Sequence, residues 1–177
     1  MILTYFDLSV VFSHSEVVYD IKFSRDLLIT GGGDGKLCIH GNLDSDGEVK
    51  LLTTIHFSTD VVKITANEYY LAAATDNEVK VYRWNKICKK LYEPESVVSS
   101  QNGSIMGSIR ALEFSQAGRL VIASSQRRVS IWSCLENRIL GVIHHNPLLV
   151  GSIYVSARFV IIVSKDRPGA VSFVVYK

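Results

Sequence analysis

The chain has 177 residues, 47% of them apolar and 20% charged, enough to bury one sizeable core and too few for several domains. Its formal net charge of +2 lacks the clustered basic excess of a nucleic-acid surface, so proteins are the expected partners. Three cysteines, Cys38, Cys88 and Cys134, stand far apart without a CxxC pair, which excludes a zinc knuckle or disulfide framework and suits a reducing compartment, cytoplasm or nucleus.

In chain order, the start from Met1 to Asp7 lacks the basic residues and continuous apolar run of a secretory leader, so no export is expected. From Val18 to Ser24 the residues alternate: Tyr19, Ile21 and Phe23 point one way, and Val18, Asp20, Lys22 and Ser24 the other. This is the period of a strand. A turn at Arg25-Asp26 leads to a second strand, Leu27 to Thr30, then Gly31-Gly32-Gly33-Asp34-Gly35, then a third, Lys36 to His40.

The same order recurs three times. It appears as Val61 to Ala66, Tyr70 to Thr75 and Val79 to Tyr82; as Ile109 to Ser115, Arg119 to Ser124 and Val129 to Trp132; and as Leu148 to Ser156, Phe159 to Ser164 and Ala170 to Tyr176. Val49 to Ile55, Ile87 to Tyr92 and Arg138 to Ile143 are the expected fourth, outer strands. The ends of the third strands, His40, Tyr82, Trp132 and Tyr176, are spaced by about 42, 50 and 44 residues. Pro94 to Gly107, rich in Ser and Asn, accounts for the longer middle interval as a surface loop. It includes the sequon Asn102-Gly103-Ser104, which has meaning only in a secreted protein. The apolar stretch Leu148 to Val163 is broken by Arg158 and falls short of the roughly 18 residues of a membrane span. No membrane span is expected.

These copies resemble the WD40 repeat, which runs from a Gly-His through strands ending in Phe-Ser and Ser-Gly-Ser to an Asp-Gly turn and a strand ending in Trp-Asp. The first copy is the clearest: His14, Phe23-Ser24, Thr30-Gly31-Gly32, Asp34-Gly35 and Leu37-Cys38-Ile39-His40. The resemblance implies an all-β, WD40-like β-propeller of about four antiparallel blades, either a small ring or an open arc. The whole chain, 1–177, would be one domain, with copies at about 14–57, 58–93, 108–143 and 145–177. Residues 94–107 would be an inserted loop and 2–13 a closing outer strand. Alternatively that first segment pairs with a further blade, or with another chain.

In the family a histidine, a Ser or Thr, the turn Asp and the Trp form a hydrogen-bonded tie within the blade. His14, Thr30 and Asp34 match three of those places, with His40 where the Trp stands. The second copy has His56, Asp76 and Tyr82, with Ala72 in place of the hydroxyl. The third has Trp132 but Gln126 for the Asp; the fourth has His144 or His145, Asp166 and Tyr176. The resemblance thus implies a structural role for the histidines.

Little else points to chemistry. The run Thr30 to Leu37 lacks the first Gly and the Ser or Thr of a phosphate-binding loop, and no helix pattern follows, so a Gly-rich hairpin turn is expected. Asn42 to Gly47 imitates the first half of a calcium loop, but Thr53 stands where the bidentate Glu belongs. No Gly-x-Ser-x-Gly elbow or His-Glu-x-x-His motif is present. The expectation is a non-catalytic interaction protein, scaffold or complex subunit, with no cofactor and no metal. Arg127 and Arg128 occupy the turn where the first copy has Asp-Gly, and Lys165 and Arg167 the corresponding turn of the fourth copy. Together they would form a basic rim for an acidic or phosphorylated peptide. A phosphoinositide-binding propeller is a lesser alternative, because Gln126-Arg127-Arg128-Val129 lacks the Phe and Gly of its Phe-Arg-Arg-Gly signature. An open arc would leave blade faces uncovered and require self-association or a partner chain.

Overall fold

Short alternating segments separated by turn residues fold as antiparallel meanders, because each strand's backbone groups are satisfied by the next strand along the chain. The computed structural model describes residues 13–41, 49–99, 107–115, 118–125, 128–144, 150–156, 159–167 and 170–176, the side chains of 164–167, 170–174 and 176 excepted. The first sheet runs β1 (Val18–Ser24), β2 (Leu27–Gly32), β3 (Lys36–Gly41), β4 (Lys50–His56). In the second are β5 (Lys63–Ala66), β6 (Tyr70–Ala74), β7 (Glu78–Arg83) and β8 (Ser96–Ser99), with a helical turn, α1 (Trp84–Ile87), before the last. The third is β9 (Ile109–Phe114), β10 (Arg119–Ser124), β11 (Arg128–Ser133), β12 (Arg138–His144). The fourth, three-stranded among the described residues, is β13 (Val150–Val155), β14 (Val160–Arg167), β15 (Ala170–Tyr176). At the β1–β2 hairpin Arg25 and Asp26 both have positive φ, 55° and 59°, the sign a two-residue turn of the type I′ kind demands. The segments at 2–12, 42–48 and 100–106, with Gln126, Arg127 and His145, lie outside the described residues.

Three apolar clusters join neighbouring sheets. Ile29, Leu37 and Ile39 of the first sheet meet Ile64, Leu71 and Tyr82 of the second. Ala72, Val79 and Val98 meet Leu112, Leu120, Ile122 and Trp132. Val121 and Val129 meet Val150, Ile153 and Ile162. Counted from each first hairpin, Ile21, Ile64, Leu112 and Ile153 hold equivalent register places. The last three are buried against the preceding sheet, whereas Ile21 is 56% exposed, and Phe23, which corresponds to buried Phe114, is 75% exposed. The side of the first sheet facing away from the second is therefore the uncovered one.

Two expectations are corrected. The outer strand of the second sheet is not Ile87 to Tyr92 but β8, four residues inside the segment expected as a loop. Buried Trp84 and Ile87, three residues apart, seat a single helical turn, with the Trp84 indole N–H on the Asn67 carbonyl at 2.8 Å and the Cys88 N–H on the Trp84 carbonyl at 2.9 Å. Only after the left-handed Lys90, φ 59°, does the chain reach a segment with strand alternation, where Ser96 and Val98 are buried and Val97 is exposed. The second correction concerns Lys165, Asp166 and Arg167, which end β14 instead of forming the turn, Lys165 opposite Val171 and Arg167 opposite Ala170.

Candidate binding face

The first strands β1, β5, β9 and β13 lie side by side and line one central cavity of about 240 Å³. Their antiparallel pairing puts Val18 opposite Gly32, Lys63 opposite Ala74, Ile109 opposite Ser124 and Val150 opposite Ser164. Each first strand thus starts at the end of the sheet where the second-to-third-strand turn lies. This shared face carries His14, Asp34, Asp76 and Arg128, whereas Tyr82 and Trp132, opposite Leu71 and Leu120, stand near the other end of their sheets.

At the first turn the structure brings His14, Thr30 and Asp34 together. His14 Nδ1 lies 2.8 Å from Asp34 Oδ1, and His14 Nε2 lies 2.8 Å from Thr30 Oγ1. A carboxylate only accepts, so in the neutral imidazole Nδ1 donates to Asp34 and Nε2 accepts the Thr30 hydroxyl proton. Asp34 also accepts the Ser15 N–H at 2.9 Å and the Lys36 N–H at 3.2 Å, and pairs with Lys36 Nζ at 3.1 Å. Burial alone would raise the Asp34 carboxyl, but the bonds from His14, Ser15 and Lys36 outweigh it and hold the group well below the usual carboxylate range. The glycines serve backbone approach: a Cβ on Gly31 would meet Val61 Cγ1 at 2.6 Å, and Gly35 at φ 68° would meet the Phe57 carbonyl at 2.8 Å. Gly32 accepts the Val61 N–H at 3.0 Å, which docks the turn on the start of the second sheet.

His40, at the Trp place, takes other partners. Its Nδ1 donates to the Leu28 carbonyl at 3.3 Å and Nε2 accepts from Ser13 Oγ at 3.0 Å, and burial lowers its pKa, favouring the neutral ring. In the second sheet the expected set does not assemble: no hydrogen bond among the described residues joins His56, Asp76 and Tyr82. His56 is exposed at the end of β4, opposite Lys36. Asp76 accepts from Ser108 Oγ at 3.1 Å, and its carbonyl accepts the Ile109 N–H at 3.0 Å, clasping the second turn to the third sheet. Tyr82 is buried edge-on to Phe57, centroids 6.5 Å apart, and that burial pushes its phenol up.

Trp132 is buried too, but Nε1–H donates to Ser96 Oγ at 3.3 Å on the neighbouring sheet, because Ile122 holds the place that Thr30 fills in the first. Ser96 in turn bonds Asn137. Sequence reasoning missed Ser108 and Ser125, which stand where Val17 and Gly33 stand in the first sheet: Ser125 N–H donates to the Ser108 carbonyl at 2.8 Å, as Gly33 N–H does to the Val17 carbonyl at 2.9 Å, and Ser108 N–H donates to Ser125 Oγ at 3.0 Å. Two serines flanking a sheet's first hairpin were the available signal. His144 is exposed at the end of β12, and the Asp166 side chain lies outside the description.

Of the predicted rim, Arg127 lies outside the described residues, and of Lys165 and Arg167 only the backbone is described. Arg128 starts β11, its Nε buried without a hydrogen-bond partner among the described residues. Of the cysteines, Cys38 and Cys134 are buried and Cys88 exposed, all as free thiols; burial pushes the Cys134 thiol up to about 12. A thiol so held is a poor nucleophile at neutral pH. No group of three or more His, Cys, Asp and Glu converges among the described residues, and no helix among them is long and apolar enough to cross a membrane.

Among family models, the one described as "WD domain, G-beta repeat" matches residues 96–133, which are β8 through β11. The matched repeat is the third copy with the outer strand of the second, not the first copy with its fuller set of motif residues. No curated protein matches the chain in sequence. Among solved structures it is similar to the WD40 repeats of RRP9, with a TM-score of 0.75, 14% identity, and coverage of 93% of this chain and 52% of that one. A chain in the Mitotic Checkpoint Complex is similar at TM-score 0.70 and 14% identity, over 88% of this chain and 49% of that one. The computationally designed Ika4 protein is similar at TM-score 0.74 and 19% identity, over 96% and 98%. The chain therefore spans about half the length of the first two and nearly all of the third. Its fold is that of a WD40 β-propeller, and residues 96–133 carry a WD40 repeat.

Proposed function

We propose that this chain is a non-catalytic interaction scaffold, a subunit that holds other proteins on the faces of its blades. The observation that carries this reading is the engagement of its best-assembled polar group in the fold itself: His14 and Asp34 side chains are 4% and 5% exposed and saturated by neighbours from three segments. The order of hydroxyl, imidazole and carboxylate also occurs in acyl-transfer relays. Here the hydroxyl belongs to Thr30, a secondary alcohol 7% exposed within β2. Structural neighbours include a chain in a multiprotein checkpoint assembly, which favours the subunit reading. The free cysteines favour cytoplasm or nucleus. Affinity purification with the intact chain tests the proposal: a partner should co-purify in stoichiometric amount and stay bound through size exclusion. A chain that always elutes alone refutes it.

A second reading, recognition of an acidic or phosphorylated peptide by Arg127, Arg128, Lys165 and Arg167, is favoured by Arg128 at the turn end of β11, whose Nε has no hydrogen-bond partner among the described residues. Charge reversal at the four positions should abolish partner recovery; unchanged recovery refutes this reading while leaving the scaffold role standing. The exposed Ile21 and Phe23 face is the place where the ring would be completed, by residues 2–13 with the last sheet or by a partner chain.

A further inference from the structure

The central cavity separates its charges into two layers. In the one nearer the first hairpins, Lys22, Thr65 and Glu113 occupy equivalent register places on β1, β5 and β9 and satisfy one another: Glu113 pairs with Lys22 Nζ at 3.4 Å and accepts from Thr65 Oγ1 at 3.1 Å. The other lining carboxylate, Asp20, is engaged by backbone, accepting the Ile64 N–H at 2.7 Å and the Ile21 N–H at 3.0 Å. Nearer the mouth, at the starts of β5 and β9, Lys63 and Arg110 line the same cavity, and among the described residues neither meets an acceptor within hydrogen-bond or ion-pair distance.

Arg110 is the extra residue of a bulge, since Ile109 and Ala111 pair with consecutive Ser124 and Ala123. Matching bulges fall at Tyr19 in β1 and Gly151 in β13. A bulge releases one residue from the ladder and re-aims its side chain, here onto the cavity wall. Ser152 beside Gly151 adds a hydroxyl to that wall. Three cations face two carboxylates in the lining, and both carboxylates are already occupied.

We infer that the mouth of this channel is an anion site, in which Lys63 and Arg110 bind a phosphate group, free or carried on a side chain of a peptide. A guanidinium fork and an ammonium lining one cavity suit a compact oxyanion. A cavity of about 240 Å³ has room for such a group. The site depends neither on the scaffold role nor on the four turn cations.

Amide spectra of the intact chain, titrated with inorganic phosphate against chloride at matched ionic strength, test it. Phosphate should produce saturable shifts at the starts of β5, β9 and β13. Lys63→Gln and Arg110→Gln should each weaken binding about tenfold, the loss of one charge-assisted contact, while Lys63→Arg retains it. A phosphoserine peptide, its unphosphorylated twin and free phosphate identify the source: tighter binding of the phosphopeptide marks a peptide ligand, and equal binding marks the free anion. Shifts that never saturate, or binding unchanged in both glutamine variants, overturn the inference. Should one variant fail to fold, the other and the Lys63→Arg retention still decide.

Discussion

Replacing Asp34 by Asn tests the hydrogen-bonded tie most sharply, because it keeps the side-chain shape and removes only the charge and one acceptor. Asp34 takes three N–H donors, from His14, Ser15 and Lys36, and the Lys36 ammonium. Asparagine keeps one oxygen, for the His14 bond or the Ser15 bond but not both, and turns its own NH₂ toward a donor. A bond to a charged acceptor is worth about 1.5–3 kcal/mol and a neutral one about 1. The Lys36 pair, its ammonium side chain 30% exposed, adds at most about 1 kcal/mol after screening. Asp34→Asn should therefore cost about 2–4 kcal/mol at pH 7, a large share of the 5–15 kcal/mol typical of a domain. The dependence on pH carries the proof. The folded carboxyl sits below the unfolded value of about 3.9, so between the two the unfolded chain binds the extra proton. The charge's contribution is then fully present above about pH 5 and fades as pH falls through 4 toward the folded value. Urea denaturation followed by tryptophan fluorescence from pH 7 to 2.5 should show the gap between wild type and Asp34→Asn narrowing on the acid side. A gap that stays constant refutes the assignment of stability to the charged carboxylate.

Trp132→Phe should cost about 1 kcal/mol, the lost bond to Ser96, and Trp132→Ala about 3–5 kcal/mol through the emptied core, both read from denaturation midpoints. A double-mutant cycle on Lys22 and Glu113 should give a coupling of only about 0.2–1 kcal/mol that weakens in high salt, since both side chains are about one-third exposed. Leu120→Ala, in the cluster between the second and third sheets, should lose about 2–5 kcal/mol and leave phosphate binding at the channel mouth unchanged. Phe23→Ser should shift light-scattering mass toward monomer if the uncovered first sheet mediates association; an unchanged mass removes that face from any assembly.

The strands of the first and third sheets were legible because two-residue periodicity and turn chemistry are local: Val18 to Ser24 alternates, and Arg25-Asp26 and Gly35 supply the positive φ their turns require. Segment 84–99 was not, since Leu91 and Tyr92 are apolar enough to suggest a strand, and the Trp84 contact with Asn67, seventeen residues away, decides that the chain turns first. The tie in the first sheet was implied by the resemblance of the first copy to the WD40 repeat, which His14, Thr30 and Asp34 match, and the structure brings the three together. The second tie was not, because residue type alone leaves open whether Asp76 meets His56 or, as happens, Ser108.

Taken alone, the residues determined an all-β repeat, its four copies and the end of each sheet on which the turns lie, all consequences of neighbours along the chain. Which charges share the central cavity was decided only by tertiary structure. Lys22 meets Glu113 across 91 positions, and Lys63 and Arg110 come to the same mouth, because bulges and the stacking of separate sheets set the level of each first strand against the others. Those relations arise between segments whose local patterns are the same whether or not the sheets pack together.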